Sequence, residues 1–296
     1  MHSKTLTYIL LVISVVFWGM SFIFTKELFL CERHLTVTLL IFLRLAIASA
    51  VMLPTMALLR KLPRIRKGDL KWFLLLALCE PFIYHLCETT GVQLVSGSLA
   101  AVVIATIPLF VPFGMWVAYR ERIHPLMLLG VVLSLVGVSL TLLGGESLTG
   151  NLRGMLFLTG AVAIAVVYTL LLVKIVDHYN PLAITTWQNL IGLAYFLPLV
   201  LMMDRGHMVH LSWSPKMLLM LLTLGIACST LAYAFYNHGV RRLGASQACI
   251  FSNAIPAVSL AVAVIMGQES LSWVKIIGIM VVITGVVIAQ LPSLKR

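Results

Sequence analysis

Ten apolar stretches recur along this 296-residue chain, each close to the roughly 20 residues that a helix needs to cross a lipid bilayer. They cover about 5–25, 36–59, 70–90, 97–118, 126–143, 154–173, 183–203, 216–238, 246–266 and 274–291. No connection exceeds about a dozen residues, which leaves no room for an attached soluble domain. Inside hydrocarbon every backbone N–H and C=O must be paired within the protein, and consecutive helices achieve this. The expected fold is an all-α integral membrane protein of ten transmembrane helices.

Composition removes the alternatives. Hydrophobic residues make up 61% of the chain, charged residues 10%, and the mean hydropathy is +1.05. A soluble domain carries about 45–50% apolar and about 25% charged residues. A soluble enzyme and a disordered chain are therefore excluded. The five cysteines (Cys31, Cys79, Cys87, Cys228, Cys249) form no CxxC pair, and four lie in apolar runs as small packing residues. The net charge of +11 sits in loops between apolar runs and not on one solvated surface, so no nucleic-acid partner is expected. The first apolar run exceeds the core of about 7–15 residues found in signal peptides and reads as a retained span.

Lysine and arginine in the loops set the orientation. With both termini cytoplasmic, 14 fall on the cytoplasmic side and 6 on the other, with Arg44 inside a span. The expected location is the inner (plasma) membrane, multi-pass, with both termini inside.

The two halves of the chain repeat each other. A shift of 148 places Gly91-Val92 on Gly239-Val240, Ser98 on Ser246, Ile107-Pro108 on Ile255-Pro256, Glu121 on Glu269, and Gly137-Val138 on Gly285-Val286. Between 91 and 143 there are 11 identities in 53 ungapped positions. The second span needs a shift of 144, pairing Pro54 with Pro198 and Arg44 with Gln188. Five spans is an odd number, so the second repeat (150–291) enters the membrane upside down relative to the first (1–145). Inverted repeats let many transporters adopt two mirror-related states around a central site.

This pattern resembles the EamA-type exporters of the drug/metabolite transporter superfamily. The resemblance rests on Trp18-Gly19-Met20-Ser21-Phe22, Arg44 with its following Ala-rich stretch, the segment Ser96 to Pro108, Glu121 and their second-repeat echoes. It implies export of a small-molecule substrate such as an amino acid or related metabolite from a bacterial or archaeal cytoplasm.

An ionisable group deep in a span costs about 2.5–3.5 kcal/mol and calls for a partner or a purpose. Glu80, Tyr84 and Glu88 share one helix face, with His85 within reach of Glu88. Arg44 falls within one turn of the depth of Glu80, which leaves three arrangements: a structural ion bridge, a site in which Arg44 holds an anion and Glu80 a proton or an amine, or no contact between the two. Glu88 is expected near the outer mouth, solvated. Pro81 should kink the third span and free a carbonyl, for a ligand or for packing. In the second repeat Gln188 and Asn189 stand at the Arg44 level, and Tyr233, Tyr236, Asn237 and Asn253 line the eighth and ninth spans. Trp18 either stacks on a substrate or packs between helices. Gly130, Gly137, Gly278 and Gly285 permit close packing or dimer contacts, and the chain is expected to be a monomer or homodimer in contact with membrane lipid. Spans 1–4 and 6–9 are expected to line the cavity, with 5 and 10 at the periphery or between protomers.

No GxxxxGK[ST] loop, metal-ligand motif or cofactor signature is present, so no cofactor or metal is expected and the chain is not read as an enzyme. The alternatives are a phosphorylated-metabolite or nucleotide-sugar carrier of the same superfamily, and a membrane-embedded enzyme using Glu80, His85 and Glu88 for acid–base work. Carriers of the first kind would be expected to show more basic residues facing the cavity than Arg44.

Overall fold

The computed structural model describes residues 2–143, 151–268, 270 and 272–294; Glu269, Lys295 and Arg296 lie outside this set, as does most of the junction between the halves. The described residues form helices without a strand. Eight helices are long and apolar enough to cross a membrane: α1 (Lys4–Cys31), α2 (Val37–Leu58), α3 (Leu70–Leu94), α4 (Gly97–Tyr119), α6 (Leu152–Val173), α7 (Pro181–Met203), α8 (Pro215–Leu243) and α9 (Ala245–Ile265). Two more apolar helices, α5 (Pro125–Leu143) and α10 (Trp273–Leu294), have shorter described apolar stretches.

Polar residues in the connections start the helices. Thr36, Ser96, Asn151, Asn180 and Ser214 each accept a hydrogen bond from a backbone N–H in the first turn of α2, α4, α6, α7 and α8. The first helix runs six residues beyond its expected end because polar partners hold its last turns. Lys26 Nζ donates to the Gln93 carbonyl at 3.0 Å, and Glu27 pairs with Lys216 at 2.5 Å.

The packing exchanges elements between the halves. Helix α1 packs on α8 and α9, while α6 packs on α3 and α4. Two glycines at repeat-equivalent positions permit the close approach. A Cβ on Gly91 would lie 2.5 Å from the Leu158 side chain of α6, and one on Gly239 would lie 2.4 Å from that of Leu11 of α1. Helices α2 and α7 pack on each other antiparallel. Asp204, after α7, accepts from Thr36 (2.8 Å) and Thr38 at the start of α2, and Trp187 near the start of α7 donates to the Pro63 carbonyl beyond the end of α2 at 3.1 Å.

Helices α5 and α10 also pack on each other antiparallel. A Cβ on Gly130 would lie 2.4 Å from the Gly285 carbonyl, and one on Gly137 would lie 2.6 Å from that of Gly278. These glycines therefore serve contact between two helices of the same chain. A dimer face is not needed to explain them.

Four of the long helices are interrupted. Helix α3 breaks at Glu80, whose backbone is extended (φ −140°, ψ 117°) before a cis bond to Pro81. Helix α8 widens over Thr223–Leu231 without a proline. Helix α4 pauses at Ala105 and Thr106 before Pro108, and α9 tightens over Ile250–Ala254 before Pro256. The last two breaks fall at repeat-equivalent positions.

Candidate functional site

Three of these breaks, in α3, α4 and α9, border one cavity of about 70 Å³. Its wall comes from α1 (Trp18, Ser21, Phe22), α2 (Arg44), α3 (Glu80, Tyr84, His85, Glu88), α4 (Ile104, Ile107), α6 (Ala165, Tyr168, Thr169), α8 (Tyr233, Tyr236) and α9 (Cys249, Ser252, Ile255). Helix α7, expected on the wall, contributes no lining residue.

The charged part of the wall is concentrated on α3. The Nε2 of His85 lies 3.2 Å from Glu80 Oε1, and its Nδ1 lies 3.6 Å from Glu88 Oε2. All three side chains are buried. Glu88, expected to be solvated at an outer mouth, is only 6% exposed and belongs to this cluster. The break at Glu80 allows the arrangement, because it swings the Glu80 carboxyl toward the residue five positions later. Tyr233 also faces the Glu80 carboxyl from α8.

Arg44 is 2% exposed and lines the same cavity, yet it forms no ion pair with Glu80 among the described residues. Its Nε donates to Ser229 Oγ at 3.2 Å, its second terminal nitrogen approaches Ser21 Oγ at 3.5 Å, and Nη1 has no partner. The ion-bridge arrangement of Arg44 and Glu80 is therefore corrected. Both side chains border the cavity, but Arg44 turns toward α1 and α8 while Glu80 turns toward His85.

The second-repeat amides do other work. Gln188 Nε2 donates to the Glu80 carbonyl at 3.0 Å, so the oxygen freed by the break is taken up by packing. Asn189 Nδ2 reaches the Ser229 carbonyl (3.4 Å) and Thr230 Oγ1 (3.3 Å), serving the widened part of α8. Asn253 Nδ2 bonds Ser134 Oγ of α5 and is fully buried off the wall. Gln188, Asn189 and Asn253 thus brace the helices around the site. Tyr236 does line the cavity, and Trp18 stands between the rings of Tyr233 (centroids 5.1 Å apart) and Tyr236 (5.2 Å). Asn237 bonds Tyr168 and Thr185 and is likewise off the wall.

Ser21, Thr169, Tyr168 and Ser252 are wall residues that the sequence reading did not single out as lining. The shift of 148 carries the signal that would have found most of them. It places Ser21 on Thr169, His85 on Tyr233, Glu88 on Tyr236, Ile104 on Ser252 and Ile107 on Ile255, and all ten line the cavity. The site therefore follows the internal repeat, with Arg44, Glu80, His85 and Glu88 all supplied by the first half and only uncharged groups by the second. Among the described residues no group of three or more His, Cys, Asp or Glu is arranged to hold a metal ion.

A bundle of membrane-length helices whose two halves jointly wall a buried, charged cavity has the form of a membrane carrier. Residues 5–143 and 152–290 each match the EamA-like transporter family, and the chain belongs to that family; it is a multi-pass membrane transporter. It is 28% identical over 253 residues to the uncharacterized transporter YetK of Bacillus subtilis, covering 82% of this chain and 75% of that one. An uncharacterized transporter of Archaeoglobus fulgidus is 27% identical over 284 residues, covering 95% and 97%. A solved crystal structure, 18% identical, superposes with a TM-score of 0.79 over 98% of this chain and 97% of its own, a likeness of fold alone.

Proposed function

We propose that the chain exports small metabolites, amino acids or related compounds, by alternating access, its two inverted five-helix repeats rocking around the central cavity. The observation that carries this reading is that one buried cavity takes its wall from both halves at repeat-equivalent positions. The antiparallel packing of α2 on α7 and of α5 on α10 supports the inverted relation, since each pair joins corresponding helices. On this reading α5 and α10 complete a set of ten spans in an inner membrane with both termini cytoplasmic, an orientation that the excess of basic residues in one set of loops supports.

Glu80 is the coupling residue, with His85 and Glu88 as its proton-sharing neighbours. Both Glu80 and Glu88 lie within reach of the His85 ring, so a proton can pass among the three without leaving the cavity. The same three groups offer acid–base chemistry, but family membership favours transport. A carrier of phosphorylated solutes fits less well, because among the described residues Arg44 is the sole lysine or arginine on the wall.

The test is efflux from proteoliposomes loaded with a panel of amino acids and small metabolites, with and without an imposed pH gradient. The expected result is protein-dependent loss of one solute class, abolished in Arg44→Ala and no longer accelerated by the gradient in Glu80→Gln. Protein-dependent efflux of no solute under either condition would overturn the reading.

A further inference from the structure

We infer that the ligand of this cavity is an anionic acid, with a carboxylate received by Arg44 and Trp18 and an otherwise apolar body. The inference rests on the transport reading only in taking this cavity as the substrate site.

Among the described residues, three buried side-chain nitrogens of the wall have no hydrogen-bond partner: Arg44 Nη1, Trp18 Nε1 and His85 Nδ1, the last lying 3.6 Å from Glu88 Oε2. Arg44 Nη1 and Trp18 Nε1 can only donate. The wall's carboxylates are already engaged, Glu80 by His85 and Tyr233, and Glu88 by Thr89 Oγ1 at 3.3 Å. What Arg44 and Trp18 lack is an acceptor. A buried donor that has lost water and gained nothing is a standing cost, which a ligand bringing oxygen lone pairs removes.

Arg44 states the requirement most strongly. A guanidinium 2% exposed needs a counter-charge, yet its partners are the neutral hydroxyls of Ser229 and Ser21. Those hydroxyls fix the orientation of the plane and leave Nη1 unpaired, and a planar guanidinium suits a carboxylate. Trp18 and Ser21 are three residues apart on α1, so the indole N–H and the serine that orients Arg44 share one helix face. The apolar wall residues Phe22, Ile104, Ile107 and Ile255 suit a hydrocarbon body. A ligand ammonium would have to displace His85 or Tyr233 from Glu80. A phosphate dianion would bring a second negative charge toward two carboxylates with a single guanidinium to receive it.

The experiment uses the purified full chain in detergent and four probes with similar branched tails: 4-methylpentanoate, leucine, 3-methylbutylamine and 3-methylbutyl phosphate. Binding is read from the shift in thermal unfolding with probe concentration, which requires no transport. The acid is expected to bind most tightly and the amine not at all. Arg44→Gln should weaken the acid roughly ten-fold or more, with partial recovery in Arg44→Lys, which keeps the charge and loses the fork. Trp18→Phe keeps a ring and removes the N–H, and should weaken the acid about five- to ten-fold. The inference is overturned if the amine, leucine or the phosphate ester binds as tightly as the acid, if Trp18→Phe leaves acid binding unchanged, or if no probe binds at millimolar concentration. Acid binding without efflux of any solute would refute the transport reading and leave this inference standing. Efflux of amines alone would do the reverse.

Discussion

The imidazole Nε2 of His85 lies 3.2 Å from Oε1 of Glu80, five residues earlier in the chain, across the break in α3. In an unbroken helix the closest neighbours are three or four residues apart. The extended backbone at Glu80 therefore produces this contact, and the contact unites two buried titratable groups on the cavity wall. Replacing His85 with Asn should leave a folded protein whose efflux no longer responds to an imposed pH gradient. Measurement of solute efflux at several gradients checks it; an unchanged response would remove His85 from the coupling.

The break also depends on its neighbour across the helix pair. A Cβ on Gly192 of α7 would lie 2.3 Å from Cγ of Pro81 and 3.0 Å from its Cδ. A proline ring cannot swing aside as a flexible side chain can. Gly192→Ala should destabilise the protein by about 1–3 kcal/mol, as overpacking does elsewhere. Thermal unfolding in detergent reads this directly, and an unchanged midpoint would show that Pro81 moves freely.

The contact between α5 and α10 offers a second packing test. A Cβ on Gly130 would meet the Gly285 carbonyl at 2.4 Å and the Ala289 nitrogen at 2.5 Å, both of them backbone. Gly130→Ala should cost about 1–3 kcal/mol or more. Gly68→Ala serves as the control, since a Cβ there meets nothing within 4 Å. If the two variants unfold at the same temperature, the helices do not pack this closely.

The connection between α1 and α2 is fastened to that between α7 and α8 by a buried carboxylate. Glu32 accepts from the backbone N–H of Ser212 at 2.9 Å and of His34 at 3.1 Å. These bonds, led by the one from Ser212, hold its carboxyl below the usual glutamate range. A carboxyl whose folded-state pKa is depressed contributes stability that is complete above the unfolded pKa of about 4.3 and is lost as pH falls through the folded value. Stability should therefore decline below about pH 4.3 in the natural protein, and this part of the decline should be missing in Glu32→Gln. Unfolding midpoints between pH 7 and the acid limit compare the two; parallel curves would show that Glu32 carries none of the dependence.

Much of this architecture was legible in the sequence, because a bilayer imposes one length and one polarity on every spanning element. Among the described residues eight of the apolar stretches became helices long enough to cross a membrane, the other two fall on the apolar helices α5 and α10, and both halves of the repeat match one family. Azimuth was less accessible. Rise along the helix axis put Arg44 level with Glu80, but it gave no direction around the axis. That direction came from Ser21 and Ser229, whose neighbourhood requires α1, α2 and α8 to be assembled. The widened turns of α8 had no proline to announce them, so the demand they place on Asn189 was invisible. For Gln188 and Asn253 the sequence allows either a ligand contact or a bond across helices, and the bonds to the Glu80 carbonyl and to Ser134 are of the second kind.

Access to the cavity from both sides of the membrane tests the central claim most directly. Ser21 and Thr169 are repeat-equivalent wall residues on α1 and α6. Each is replaced by cysteine in a chain whose five native cysteines are removed, and a membrane-impermeant thiol reagent is applied to one face at a time of sealed, oriented vesicles. The account predicts labelling of each cysteine from both faces, with transported solute shifting the balance between them. Labelling confined to one face, unmoved by any solute, would contradict alternating access.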